Sequence, residues 1–386
     1  MRIVVLGCGF HGRGVAYEIA AASDVAVVVS GDLDAERARR VARKTGGEGV
    51  GVDLYDPTVL DRLLAGADLI FNAVGPYHRT ARPVVEAAIR NGVPYCDMAD
   101  DHEAAELLLL DPEWDARAQQ AGIGMVTGCG IAPGITGMLA KLGCERMARP
   151  RRVAVRFSWN YSIAYPAAIH HFLRINSGLA PQLIAGRLVH PGPFAEPETV
   201  RFLPPVGERR VYCTGINDPV SVSHSIPGLE EVTAKGCFHQ PEANDFLEAM
   251  VRWGWTSYAP VPALGTSPFE ALIAYLNSEQ GRDRFDIPQE PAPMAIRVEV
   301  EGEKEGENGG APARLVFEGQ DETRRGTTAP SAIVALMLAR GELGFTGLRA
   351  PEGCVPTGAF FHALAAVPDV KLFEVESDGT ARPLVV

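Results

Sequence analysis

The opening of the chain is its tightest constraint. Arg2 to Leu6 form an apolar run that breaks directly into Gly7-Cys8-Gly9-Phe10-His11-Gly12. An amphipathic stretch to about Ala22 follows, then a second apolar run, Val25 to Ser30, ending at Gly31-Asp32. An apolar run that stops at glycine and resumes at helical spacing predicts a buried strand, a tight turn and a helix lying back on the sheet. Each glycine then has a separate steric duty. Gly7 permits the turn, Gly9 leaves the backbone open to close approach, and Gly12 lets helix and strand pack closely.

Such a turn points the unpaired N–H groups and positive end of a helix at one place, which suits a diphosphate and needs no lysine. Phe10 and His11, at the start of that helix, would border the bound group. In a chain with 41 glycines the motif is weak alone, but its context strengthens it. Asp32 falls about 20 residues beyond Gly12, where a carboxylate would hold ribose hydroxyls and repel a 2′-phosphate. The expected cofactor is therefore NAD, with NADP the alternative because Arg37, Arg39 and Arg40 stand close by. Asp34 fits the role of N-cap for the next helix better than Asp32.

Further on, strands and helices alternate over short links, the pattern of a doubly wound parallel sheet. Strands are expected at 49–52, 68–74, 93–97 and 124–127, six in all with the first two, each followed by a loop. In such sheets ligands sit beyond the carboxyl ends of the strands. Asp53 would contact adenine, or serve as a plain turn residue. Asn72, Ala73, Gly75 and Pro76 would pass along the cofactor, and Tyr77 and His78 would project toward the nicotinamide. Asp100 and Asp101 follow the fifth strand and are candidates for acid–base work, with helix capping as the alternative. Cys129, between two glycines near a helix start, reads as a nucleophile or as a small residue beside the nicotinamide, and the second reading is favoured because nothing else indicates acyl chemistry.

From Arg152 the pattern changes to a mixture of strands and helices rich in aromatics, proline and histidine. Apolar helical segments return at Ser331–Arg340 and Thr357–Ala366, and they need a sheet face to cover. The expected architecture is α/β: a Rossmann-type domain, a doubly wound parallel sheet of residues 1–145 plus 327–386, interrupted by an inserted α+β domain, 146–326. Glu301 to Pro312 reads as an exposed hairpin loop. His170-His171 would hold a substrate carboxylate or a metal, although adjacent histidines point apart on a helix.

The net charge of −12 and the lack of a dense basic stripe argue against nucleic acid. No apolar run approaches the ~20 residues that span a bilayer. Met1-Arg2-Ile3 runs straight into a strand, leaving no room for a signal peptide, so the cytoplasm is the expected compartment. The seven cysteines are scattered with no zinc spacing, and no metal is expected.

The chain resembles the saccharopine dehydrogenase family of the saccharopine reductase type, which includes NAD-dependent lysine 6-dehydrogenases. The likeness rests on VVLGCGFHGRG (4–14), FNAVGPYHRTARPVVEAAIRNGVPYCDMADD (71–101), AGIGMVTGCGIAPGITGMLA (121–140) and TTAPSAIVALMLARG (327–341), with GINDPVSVSHSIPGLEEVTAKG (215–236) a weaker match. The resemblance implies hydride transfer between a nicotinamide and a carbon bonded to nitrogen on a lysine-like amino acid or its imine. It also implies that the inserted domain, 146–326, is the substrate and oligomerisation domain, with the chain a homodimer. Fungal saccharopine reductases carry aspartates where this chain has Ala132 and Thr136, and an arginine shortly after a Phe-Ser-Trp motif where it has Asn160-Tyr161-Ser162. The missing guanidinium weakens the case for a substrate with several carboxylates. The segment GELGFTGLRAPE (341–352) and the Ala-Pro-Gly form of the second loop are closer to the lysine 6-dehydrogenase branch. A saccharopine-type imine reductase and a non-catalytic NAD(H)-binding regulator are the alternatives.

Overall fold

The apolar runs fold as the strands they predict: β1 (Arg2–Leu6), β2 (Val27–Asp32), β3 (Glu48–Gly51), β4 (Leu69–Asn72), β5 (Tyr95–Asp97) and β6 (Gly124–Val126). Between and after them lie α1 (Phe10–Ala20), α2 (Ala35–Thr45), α3 (Pro57–Leu64), α4 (Tyr77–Asn91), α5 (His102–Leu109), α6 (Pro112–Gln120) and α7 (Ile135–Glu145). Ile3, Val4, Val5, Leu69, Ile70 and Phe71 are all 0% exposed, as expected of central parallel strands covered on both faces. Asp34 caps α2 by accepting the N–H groups of Glu36 and Arg37 at 3.0 and 3.1 Å. Asp56 caps α3, which opens on Pro57.

The inserted region contributes β7 (Arg149–Trp159), α8 (Pro166–Ser177), β8 (Gln182–Ile184), β9 (Arg187–Val189), β10 (Glu198–Arg201) and β11 (Glu208–Cys213). It continues with α9 (Asp218–Ser225), β12 (Glu231–Phe238), α10 (Pro241–Arg252), α11 (Pro268–Asn277), α12 (Glu279–Arg284), β13 (Met294–Lys304) and β14 (Ala311–Asp321). The tail holds α13 (Arg325–Ala339), β15 (Gly347–Arg349), α14 (Pro351–Cys354), α15 (Thr357–Ala365), β16 (Val370–Val375) and β17 (Ala381–Pro383). The computed structural model describes residues 1–159, 166–284, 293–304, 311–321 and 325–386, apart from the side chains of 166–168 and 283. Asn160-Tyr161-Ser162 and the tip of the β13–β14 hairpin lie outside the described residues.

Two sheets result. The first has seven parallel strands in the order β15-β6-β5-β4-β1-β2-β3, so the chain changes direction of travel between β1 and β4. In sheets of this kind ligands bind outside the carboxyl ends of the strands where the order reverses. The second is mixed, in the order β10-β11-β12-β7-β13-β14-β16-β17, with the β8–β9 hairpin attached to β12. One hydrophobic cluster runs through both. Gly143 of α7 lies against the second sheet, where a Cβ would stand 2.5 Å from Val300.

The tail corrects the expected domain bounds. α13 does return to the first sheet, packing so closely on α1 that a Cβ at Gly14 would stand 2.7 Å from Thr328. Arg325 also bonds Glu18 at 2.8 and 3.0 Å. β15 then supplies a seventh strand beside β6 that the expectation of six omits. β16, however, pairs antiparallel with β14, so 370–383 extends the inserted region's sheet instead of returning with the rest.

Candidate functional site

The glycine turn has the geometry of an open cradle. A Cβ at Gly12 would lie 1.8 Å from the Gly7 carbonyl oxygen, and Gly7 itself has φ +90° with its Cβ position 2.7 Å from the Ala73 oxygen. At Gly9 an added Cβ would meet nothing within 4 Å. Two glycines thus lock α1 against the strand ends, and the third leaves the start of the helix clear. α1 begins at Phe10 with no side-chain cap. Phe10 and His11 make an edge-on ring contact at 5.1 Å, and the Arg13 guanidinium lies 5.3 Å from the Phe10 ring.

Asp32 closes the cradle. Its carboxylate accepts the Cys8 N–H at 2.8 Å and the Asp34 N–H at 2.9 Å, with the Arg37 guanidinium 3.7 Å away. Asp53 is exposed, and its carboxylate accepts the Tyr55 N–H at 2.9 Å, the bond of a turn residue. Asn72 is fully buried; it accepts the Val74 N–H at 3.1 Å and donates to the Tyr95 hydroxyl at 3.4 Å. Its side chain therefore shapes the Ala73–Pro76 loop from beneath. Along that loop Gly75 is exposed and Ala73 and Pro76 are half-buried. Cys129 is a correction to a contact by its side chain, since its thiol is fully buried 3.4 Å from the Cys96 sulfur. Burial pushes that thiol well up, which disfavours the thiolate a nucleophile needs.

The four expected acid–base residues do converge. Asp101 is 2% exposed and, although it stands at the N-cap of α5, makes no side-chain cap bond. Its carboxylate faces His78 instead, accepting the backbone N–H at 3.2 Å with Nδ1 at 3.0 Å. On its other side is a residue not counted among them, His171 of α8. The His171 ring lies between two carboxylates, with Nε2 2.9 Å from Asp100 and Nδ1 3.5 Å from Asp101. Against the desolvation that would lower it, Asp100 and then Asp101 raise the His171 imidazole to about 10. Bonds from His171 and His78 pull Asp101 below the usual carboxylate range despite burial, which acts the other way. At neutral pH this is an imidazolium between two carboxylates. Tyr77 is buried nearby, and burial, with Asp97, Asp100 and Asp101 around it, pushes its phenol well up, so it stays protonated. His170 points the other way, edge-on to Phe269 at 5.1 Å.

Asp97 holds the loops that carry these groups. Fully buried at the end of β5, it accepts the Tyr95 hydroxyl at 2.6 Å, the Thr127 hydroxyl at 2.9 Å and the N–H groups of Gly128 and Ala99 at 2.8 and 3.0 Å. The inserted region supplies the roof. Ile216 forms a β-bridge with Asp101, and Asn217 donates to the Ala99 carbonyl at 2.8 Å. The next residue, Asp218, is 0% exposed and accepts the Thr136 hydroxyl through one oxygen, while its other oxygen has no partner among the described residues. Burial, reinforced by Glu352 and Asp100, raises the Asp218 carboxyl to about 7. Asp218 carries no local signature. Its neighbours come from α7 and α14, far away in sequence.

A glycine turn at the reversal point of a parallel sheet, with a second domain roofing the strand ends, defines a two-domain protein of the nicotinamide dinucleotide-binding class. Residues 3–127 match the family model described as the saccharopine dehydrogenase NADP binding domain. Over those residues the chain is similar to the saccharopine dehydrogenase family. A saccharopine dehydrogenase-like oxidoreductase from Rattus norvegicus is 27% identical over 144 residues, 36% of this chain and 30% of the relative. The carboxyaminopropylagmatine dehydrogenase of a Synechocystis strain is 27% identical over 146 residues, 36% of each. A trans-acting enoyl reductase from Mycobacterium leprae is 28% identical over 138 residues, 33% of this chain and 32% of the relative. The chain thus matches about a third of the length of these curated relatives. The whole fold is shared more widely. The saccharopine dehydrogenase (L-Glu forming) of Saccharomyces cerevisiae superposes with a TM-score of 0.68 at 16% identity, over 97% of this chain and 100% of its own.

Proposed function

We propose that the chain is a nicotinamide-dependent oxidoreductase that transfers hydride at a C–N bond of a lysine-like amino acid or its imine. The observation that carries this reading is the carboxylate-rich group beside the cradle: Asp100, His171, Asp101 and His78, with Asp218 behind them. Two carboxylates around one imidazolium leave a net negative charge, which favours a cationic amine or iminium over a substrate with several carboxylates. The relatives named for saccharopine and carboxyaminopropylagmatine chemistry support the C–N assignment, and the enoyl reductase among them is the reason it needs a direct test.

Bound in the cradle, a nicotinamide would supply or accept the hydride. The protein's own part is positioning and proton handling. Asp32 favours NAD through the ribose hydroxyls, with NADP the alternative through Arg37. Asp218, close to half-ionised near neutral pH, is suited to take the proton an amine must lose before oxidation. The Asp100–His171–Asp101 series fixes the charge of the pocket wall and holds His78 toward the reacting carbon. The family resemblance leads us to expect a homodimer; no helix among the described residues is long and apolar enough to cross a membrane.

The test is a spectrophotometric panel at 340 nm. NAD or NADP is offered with lysine, ornithine, diaminopimelate and saccharopine, and the reduced cofactors with keto acid plus amine. Turnover with an amine or imine is expected. Turnover only with alcohols, aldehydes or enoyl thioesters would overturn the C–N assignment.

A further inference from the structure

Apart from Asp100, Asp101 and His171, one other group of histidine and carboxylate donors converges among the described residues: His102, Glu106 and His190, with all donor atoms within 4.8 Å of one another. His102 and Glu106 are one turn apart on α5, so they share a face of that helix. His190 comes from the loop after β9 in the inserted region, 84 residues from Glu106. His190 Nε2 lies 2.7 Å and His102 Nδ1 3.3 Å from the same Glu106 oxygen.

We propose that His102 Nδ1, Glu106 Oε1 and His190 Nε2 bind a divalent transition-metal ion, zinc being the best fit, which clamps the inserted region to α5. Three donors and an open fourth position are a common zinc arrangement. An ion about 2.0–2.1 Å from tetrahedral donors holds them about 3.3 Å apart. The His102–Glu106 pair already has that spacing, and the His190–Glu106 pair would open by roughly half an ångström. Imidazole nitrogens select zinc, nickel or copper over magnesium and calcium, which prefer an all-oxygen shell.

The surroundings match the requirements of a ligand as well. To present a lone pair on Nδ1, His102 must carry its proton on Nε2, and Nε2 faces Glu103 at 3.6 Å. Glu103 is in turn held by Arg174 at 2.5 Å. A carboxylate behind the ring, itself anchored, is the outer support that orients metal-bound histidines. His102 is 9% exposed, while the Glu106 and His190 side chains are 31% and 35% exposed, which leaves an ion a way in. Asp101, which contacts His78, immediately precedes His102, so a clamp here would brace the first turn beneath the acid–base group.

The experiment uses the full chain without a histidine tag. Zn2+ is titrated calorimetrically, and Co2+ serves as a visible-absorbing probe. One ion per chain is expected. Glu106→Gln and His190→Ala should each weaken binding by more than 10-fold, and Glu103→Gln by about 10-fold. Zn2+ should raise the Tm of the wild type but not of His190→Ala, and excess Mg2+ should not compete. No stoichiometric binding, undiminished binding in both ligand variants, or equal competition by Mg2+ would overturn the proposal. The metal-free Tm of the variants shows that they fold, and either ligand variant suffices for the test.

Discussion

Asp101→Asn removes one charge and almost no volume from the centre of the proposed acid–base group. Asp101 is 2% exposed and bonds His78 at 3.0 and 3.2 Å and His171 at 3.5 Å. Hydrogen bonds to charged groups contribute about 1.5–3 kcal/mol each. If one such bond positions His78 in the transition state, its loss lowers kcat/KM by roughly 10- to 150-fold, at 1.36 kcal/mol per factor of ten. Deleting one partner of a buried pair costs about 3–5 kcal/mol of stability. The amide still accepts the His78 N–H, so the stability loss should fall below that range. The imidazole of His171, held at about 10 by Asp100 and Asp101 together, should titrate lower with Asp100 alone. Steady-state kinetics with the amine found in the panel, and histidine titration by NMR, are the assays. Wild-type kcat/KM within threefold, or an unmoved His171 titration, would refute the reasoning.

Three further outcomes are expected. Asp32→Ser should weaken NAD binding and strengthen NADP binding, because repulsion of a 2′-phosphate is removed and Arg37 is released; dissociation constants for both reduced cofactors by fluorescence check this. Asp218→Asn should abolish a limb near pH 7 in kcat/KM for amine oxidation, where activity rises as the carboxyl ionises at about 7; a surviving limb would assign it to another group. For stability, the folded-state value of His171 is raised, from 6.5 to about 10. Its contribution is therefore complete below about pH 6.5 and is lost as pH rises toward 10. Urea unfolding across that window should show a decline that is smaller in His171→Gln.

Much of the first domain could be read locally. β1, β2 and β4 are apolar runs because they are covered on both faces, and the glycine spacing expresses contacts made within the same strand-turn-helix unit. The return of α13 was legible because an apolar helix must be covered. β16 was not: its residues are half-buried or exposed at one end of a sheet, and its partner β14 lies about 50 residues earlier. At the site, Asp100 and Asp101 stood out by position. Yet the local pattern equally allowed a helix cap at Asp101, and only tertiary packing against His78 and His171 decided between the two. His171 and Asp218 acquire their shifted ionisation from groups far off in the chain, and a sequence carries no periodic mark of that.

The central claim is that the Gly7–Gly12 turn grips the diphosphate of a nicotinamide dinucleotide. Gly9→Ala tests it most directly, because an added Cβ meets no protein atom within 4 Å and φ is an ordinary −71°. Titration of NADH and NADPH by fluorescence, alongside the Tm of the ligand-free protein, separates binding from folding. The account predicts an unchanged Tm with affinity for the preferred cofactor reduced at least tenfold. Wild-type affinity in this variant, or no binding of either cofactor to the wild type, would contradict it.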